Sequence, residues 1–81
     1  MDYDNLVNNA IKGDKEAFSN IIKECEVELY CIAKARLYNE TDVEDAIQET
    51  IIHAFKSIKK LKNSKFFKTW LIKILINNCN I

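Results

Sequence analysis

Three polar residues and one isoleucine recur at helical spacing in the middle of the chain. Asp45, Gln48, Glu49 and Ile52 lie three or four residues apart, so a helix would bring them onto one ridge. Such a stripe is usually a solvated face. The helix dipole also favours acids in the first turn, such as Asp42 and Glu44, but the stripe lies beyond that turn. The isoleucine in line with the polar groups equally fits a docking surface for a partner helix.

Cations, amides and aromatic rings follow further along the chain. Phe66, Trp70, Lys73 and Asn77 are spaced at i, i+4, i+7 and i+11 and would share a helix face. Rings can stack unpaired bases, and ammonium groups offset phosphate charge. Either ring alone fits the core equally well, because tryptophan is highly buried on average. Together with the lysines beside them they favour a nucleic-acid surface, with candidates Lys62, Lys65, Phe66, Trp70, Lys73 and Asn77.

The lysines near these rings are only partly explained by folding. A helix C-terminus favours cations, which accounts for Lys56 and the two lysines after it. Lys65 and Lys68 are expected in the first turns of the last helix, which Ser64 would cap. Cations are mildly unfavourable there, so this charge indicates a partner outside the fold.

Charge is unevenly distributed along a chain whose net charge is zero. Residues 1–50 contain all 12 acidic residues and five basic ones, which leaves −7. Residues 51–81 contain seven lysines and no acid, which gives +7. This division predicts two partner surfaces of opposite charge.

Length and composition limit the class of protein. Eighty-one residues form one domain, near the lower limit for a single core. The chain is 48% hydrophobic and lacks proline, which favours a compact, helix-rich unit. No apolar run approaches the roughly 20 residues of a membrane span, and the first residues do not resemble a secretory signal. We therefore expect a cytoplasmic protein.

No group of residues indicates catalysis, a metal or a cofactor. His53 has no acid or nucleophile arrangement around it, and Gly13 is the only glycine, so a glycine-rich phosphate loop is excluded. The three cysteines form no C-x-x-C pair and are expected to be free and buried, as neither a disulfide framework nor a zinc site is indicated. A non-enzymatic protein is predicted.

The hydrophobic pattern predicts an all-α bundle of about four helices. Asp4 would cap a short first helix that ends at Gly13 in a left-handed conformation, and Asp14 would cap a long second helix. Thr41-Asp42-Val43-Glu44 is a capping box that would start the central helix. The core face predicted for that helix comprises Val43, Ala46, Ile47, Thr50, Ile51, Ala54, Phe55 and Ile58.

Three motifs follow one another along the chain: Ala10-Ile-Lys-Gly13-Asp14 followed by Ala17-Phe18, then Asp42-Val-Glu-Asp45-Ala-Ile-Gln48-Glu49, and then Phe67-Lys-Thr69-Trp70-Leu71-Ile72-Lys73-Ile74 with Asn77. In order and spacing they resemble the second conserved region of bacterial RNA polymerase sigma factors, most closely the extracytoplasmic-function type. The resemblance extends over nearly the whole chain, so residues 1–81 are expected to form one region 2 domain.

The resemblance implies a domain that binds the RNA polymerase core and recognises and melts the minus-ten promoter element. By position, the Asp45-Gln48-Glu49 stripe matches the motif that docks on the clamp helices of the largest polymerase subunit. The loop at 59–65 matches the segment that captures a base flipped from the non-template strand. This match adds Lys59, Lys60 and Asn63 to the DNA-binding candidates. The face from Phe66 to Asn77 matches the part that melts and reads the promoter. An anti-sigma factor stays open as a further partner.

The chain departs from the family pattern in three ways. Trp70-Leu71 stands where primary sigma factors carry a Trp-Trp pair, so melting by a tryptophan dyad is not implied. The arginines that usually follow the Asn77 position are absent, as is the region that recognises the minus-thirty-five element. An excised domain or a natural fragment is therefore expected.

Two other hypotheses stay open. The first is a helical protein-interaction module without nucleic-acid binding, in which Phe66 and Trp70 are core residues. The second is a duplex-DNA binder of the helix-turn-helix type. It is disfavoured because the reading helix would offer few hydrogen-bonding side chains for base edges.

Overall fold

Four α-helices make up most of residues 3–79, the part of the chain that the structure, a computed structural model, describes. Two short 3₁₀ helices, Ile58–Lys60 and Ser64–Phe66, connect the last two α-helices. No strand is present in this range, and the predicted all-α bundle is confirmed. The α-helices are α1 (Tyr3–Ile11), α2 (Lys15–Arg36), α3 (Glu40–Ser57) and α4 (Phe67–Cys79).

The turn between α1 and α2 follows the prediction. Gly13 has a φ of +109°, in the left-handed region that glycine adopts most readily. Its N–H donates to the Ala10 carbonyl, and the Asp14 N–H donates to the Asn9 carbonyl, both at 3.0 Å. These two bonds form a Schellman motif. The Asp14 carboxylate accepts the Ala17 N–H at 3.1 Å and caps α2 as expected.

The predicted start of α3 is wrong by two residues. The helix begins at Glu40, and Asn39 is its N-cap, with the Asn39 side chain accepting the Thr41 N–H at 2.8 Å. Thr41 therefore lies inside the first turn and does not form the expected capping box with Glu44. An asparagine directly before the helix can satisfy a free N–H without help from the threonine.

Two further helix starts also differ from the prediction. Asn63, and not Ser64, accepts the first free N–H before α4, since its side-chain oxygen lies 3.0 Å from the Lys65 nitrogen. This cap starts the second 3₁₀ helix, which leads directly into α4. Asp4 lies within the first turn of α1, because the described helix already includes Tyr3.

The core lies between α2, α3 and α4, with α1 packed against α2. The largest fully buried side chains come from all four helices, and Phe67 is the bulkiest of them. The predicted core face of α3 is correct for its central row, Val43, Ala46, Thr50, Ala54 and Ile58, which are all buried. It is wrong for Phe55, which is 46% exposed, and only partly correct for Ile47 and Ile51, which are half-buried.

The cysteines are free, and two of the three follow the prediction. Cys25 and Cys79 are buried, whereas Cys31 is exposed on the outer side of α2. No helix formed by residues 3–79 is both long and apolar enough to cross a membrane. Within the same range, no group of three or more histidine, cysteine or acidic side chains is arranged to hold a metal ion.

Candidate functional site

The docking ridge, defined as Asp45, Gln48, Glu49 and Ile52, is exposed along its whole length on α3. Ile52 leaves 49% of its surface accessible. Among residues 3–79, no hydrogen bond or ion pair engages the three polar side chains. The ridge lies on the side of α3 away from the buried row, so its acceptors and its apolar group are free for a partner.

An apolar groove runs beside the ridge, between α2 and α3. Val27, Tyr30, Ile47 and Ile51 line it, and its volume is about 400 Å³. Val27 is 77% exposed. Val27 and Tyr30 were not identified from the sequence, although one signal was available: Val27 is an apolar residue out of phase with the core positions of α2.

A cluster of exposed side chains joins the end of α2 to the start of α3. The Tyr30 hydroxyl donates to both carboxylate oxygens of Glu40, at 2.8 and 3.0 Å, and the Lys34 ammonium donates to one of them at 2.9 Å. The hydrogen bond from Lys34, followed by that from Tyr30, lowers the pKa of Glu40, while the pKa of Lys34 is raised. Exposed pairs stabilise little, so the cluster chiefly orients the two helices that form the groove.

The basic loop, defined as residues 59–65, connects α3 to α4. Lys59 and Lys60 lie in the first 3₁₀ helix, Lys62 and Asn63 in the extended segment, and Lys65 in the second 3₁₀ helix. All five are exposed. The ion pairs of the described residues are Lys34–Glu40 and Lys68–Glu28, so the four lysines of the loop have no acidic partner there.

Lys68 differs from the loop lysines. Its ammonium lies 3.2 Å from a carboxylate oxygen of Glu28 on α2. The predicted need for a partner outside the fold therefore does not apply to Lys68, because an acid far away in the sequence is brought beside it by packing.

The aromatic face, defined as Phe66, Trp70, Lys73 and Asn77, continues from the basic loop along α4. Phe66 is 60% exposed and lies in the 3₁₀ helix just before α4. Trp70 is half-buried, with its ring centroid 5.9 Å from that of buried Phe67. Lys73 and Asn77 are exposed. The hypothesis that both Phe66 and Trp70 are core residues does not fit the exposure of Phe66.

A buried polar link holds α4 against α3. The Thr50 hydroxyl donates to the Ala46 carbonyl at 2.7 Å and accepts the Asn78 side-chain N–H at 3.1 Å. Thr50 is fully buried. Because Asn78 is next to Asn77, this bond restricts the rotation of α4 about its axis and so helps to orient the aromatic face. The sequence placed Thr50 in the core but did not identify its partner.

Comparison with known proteins places the chain among sigma factors. The family model for Sigma-70 region 2 matches residues 21–80. The chain is 31% identical over 72 residues to the ECF RNA polymerase sigma-E factor of Haemophilus influenzae, an alignment covering 89% of this chain and 38% of that protein. It is 33% identical over 66 residues to the ECF RNA polymerase sigma factor SigW of Bacillus subtilis, an alignment covering 82% of this chain and 35% of that protein.

A solved structure agrees with these relatives. The structure of CnrH in complex with the cytosolic domain of CnrY superposes with a TM-score of 0.88 at 29% identity, over 96% of this chain and 51% of that one. The chain spans well under half the length of the two curated relatives. Since the family model covers most of the chain and the fold agrees, the chain belongs to the extracytoplasmic-function sigma factors, as a sigma-70 region 2 domain.

Proposed function

We propose that this domain binds the RNA polymerase core and recognises and melts the minus-ten promoter element. The observation that carries the proposal is the pair of exposed surfaces on one small fold. The docking ridge offers unpartnered acceptors beside an accessible isoleucine, and the basic loop offers unpartnered lysines beside an accessible phenylalanine. Family membership supports the assignment of each surface to its partner.

The docking ridge suits the clamp helices of the largest polymerase subunit. A helix laid along α3 would bury Ile52 and the neighbouring groove, while Glu49 and Asp45 would attract basic side chains at its border. Charged pairs at the rim of an interface mainly set the orientation and the association rate. The apolar contacts would supply most of the affinity.

The basic loop and the aromatic face suit the non-template strand of an opened promoter. Flipping a base out of a duplex costs a few kcal/mol. Stacking on an aromatic side chain recovers about 1–3 kcal/mol per base, and Phe66 has an accessible ring for this. The lysines of the loop would offset phosphate charge on either side of the captured base.

The first test measures binding of the domain to the isolated clamp-helix fragment of a bacterial RNA polymerase. The native domain is expected to bind with micromolar or tighter affinity. The double variant Gln48→Ala, Glu49→Ala should bind at least about tenfold more weakly, equivalent to about 1.4 kcal/mol. Circular dichroism should show the same helical content for both.

The matched control is Glu44→Ala, which removes an exposed carboxylate from α3 outside the ridge. It should bind the fragment as the native domain does. Equal affinity of the native domain and the ridge variant, or equal losses from the ridge and control variants, would overturn the docking assignment.

A further inference from the structure

A cavity of about 320 Å³ lies where the turn between α1 and α2 meets the end of α3. None of the ridge or aromatic-face residues lines it. Gly13, Lys15 and Phe18 come from the turn and α2, and Phe55 and Lys59 come from the end of α3 and the 3₁₀ helix that follows. Lys59 also belongs to the basic loop, so the cavity adjoins the proposed DNA surface directly.

Two phenylalanine rings contribute to the apolar part of the cavity, together with Ala10 and Ile58. Phe18 is almost fully buried, whereas Phe55 is 46% exposed. Their centroids are 5.3 Å apart with an interplanar angle of 69°, an edge-to-face arrangement. Of the two rings, only Phe18 belongs to the buried core. The outer ring is left accessible at a concave surface, where a flat heterocyclic base could stack on it.

Three lysines surround these rings, namely Lys15, Lys56 and Lys59. None has an acidic partner among the described residues. Asp14 also lines the cavity, where its carboxylate accepts the Ala17 N–H, so the lining contains three cations and one anion. Lys15 lies in the first turn of α2, where the helix dipole disfavours a cation. Helix stability therefore does not account for its charge.

We propose that this cavity binds a second unpaired nucleotide of the promoter strand, with the base against Phe55 and the adjoining phosphate among the three lysines. The proposal rests on the proposed function, because Lys59 makes the cavity continuous with the basic loop. The volume lies at the lower end of the roughly 300–1,000 Å³ typical of small-molecule sites, which suits one nucleotide. A free nucleotide shares this chemistry, so the test includes both sources.

The test records backbone amide chemical shifts of the domain while a short oligothymidylate, and separately thymidine monophosphate, is added. The strand is expected to shift the amides of Gly13 and Lys15 as well as those of the basic loop. The salt dependence of strand affinity is measured in parallel. Lys15→Gln should reduce the slope of log K against log salt by about 0.7, the value of one phosphate contact on a single strand.

The matched control is Lys23→Gln, which removes an exposed lysine of α2 outside the cavity and should leave the slope unchanged. Phe55→Leu keeps an apolar side chain but removes the ring, and it should weaken strand binding without changing the slope. Helical content measured by circular dichroism should be the same for all three variants.

The possible outcomes separate the cavity from the proposed function. Strand-induced shifts confined to the basic loop and α4, with equal slopes for Lys15→Gln and Lys23→Gln, overturn the second nucleotide site and leave the proposed function intact. No shift with the strand at any position overturns both. Shifts of the cavity amides with thymidine monophosphate but not with the strand overturn the promoter strand as the occupant, in favour of a free nucleotide.

Discussion

Tyr3 and Cys25 place two titratable groups side by side where α1 packs on α2. The Tyr3 hydroxyl lies 3.7 Å from the Cys25 sulfur, and the Tyr3 ring meets Phe67 edge-on at 6.4 Å. Burial raises the pKa of both groups above their ordinary values of 10.0 and 9.0, and for Tyr3 the contact with Cys25 raises it further. Loss of either proton therefore disfavours the folded state.

The sign of the pH dependence follows from these raised pKa values. In the unfolded chain Cys25 loses its proton near pH 9.0 and Tyr3 near pH 10.0, whereas the folded domain holds both protons to higher pH. The unfolded state then binds fewer protons, so the free energy of unfolding falls as pH rises. The contribution is complete below pH 9.0 and is lost progressively above it.

We therefore expect Tyr3→Phe to weaken the alkaline loss of stability, because the ring contact is kept and the ionisable group is removed. Urea denaturation at a series of pH values from neutral to strongly alkaline measures the effect. Tyr38→Phe is the control, since Tyr38 is fully exposed and should retain the native profile. A Tyr3→Phe profile as steep as that of the native domain would contradict the assignment.

At the scale of single elements, the start of α3 shows how neighbouring residues compete to cap a helix. Asn39 and Thr41 are both good N-cap residues, and the sequence contains a complete capping box at Thr41. The helix nevertheless begins two residues earlier, with Asn39 as its cap, and its first residue, Glu40, accepts hydrogen bonds from Tyr30 and Lys34 on α2. This tertiary contact favours the earlier start, and because it is exposed its contribution is small.

The cap assignment predicts unequal effects of two alanine substitutions. Asn39→Ala removes the acceptor for the Thr41 N–H and should lower the free energy of unfolding by about 1 kcal/mol, within a usual range of roughly 0.5–2. Thr41→Ala should have a much smaller effect, because its hydroxyl has no capping role. Urea denaturation of both variants measures the difference. A larger loss of stability for Thr41→Ala than for Asn39→Ala would contradict this assignment and support the capping box at Thr41.

At the scale of the whole molecule, the two surfaces of opposite charge are carried by different parts of the fold. The substituted ridge residue nearest to the basic loop is Glu49, which lies eight residues before the end of α3 at Ser57. At 1.5 Å per residue, this is roughly 12 Å of helix. Sites farther apart than about 7–10 Å, without shared partners, usually respond independently to substitution.

If the two surfaces act independently, substitutions in one surface should weaken promoter binding or polymerase binding, but not both. Lys62→Gln with Lys65→Gln should weaken single-stranded promoter binding and lower its salt slope by about 1.4, for two phosphate contacts. Binding to the clamp-helix fragment should be unchanged, and Gln48→Ala with Glu49→Ala should show the reverse. Fluorescence anisotropy with each partner measures both. Loss of both activities in both variants, together with lost helical content, would contradict the assignment of the two activities to separate surfaces.

The sequence alone determined the features that depend on neighbours along the chain. Helical periodicity predicted the four helices, and the lone glycine predicted the left-handed turn at Gly13. Both follow from local backbone preferences, which need no knowledge of packing. The sigma factor family was predicted by resemblance, from three motifs in order along the chain.

Only the tertiary structure decided which side chains are buried and which charges are paired. It left Phe55 and the groove residues Ile47 and Ile51 accessible, paired Lys68 with Glu28, and gave buried Thr50 a partner in Asn78. Each of these outcomes depends on a residue more than 20 positions away or on how much of a helix face its neighbours cover. Helical spacing places a side chain on a face, but only packing determines what that face meets.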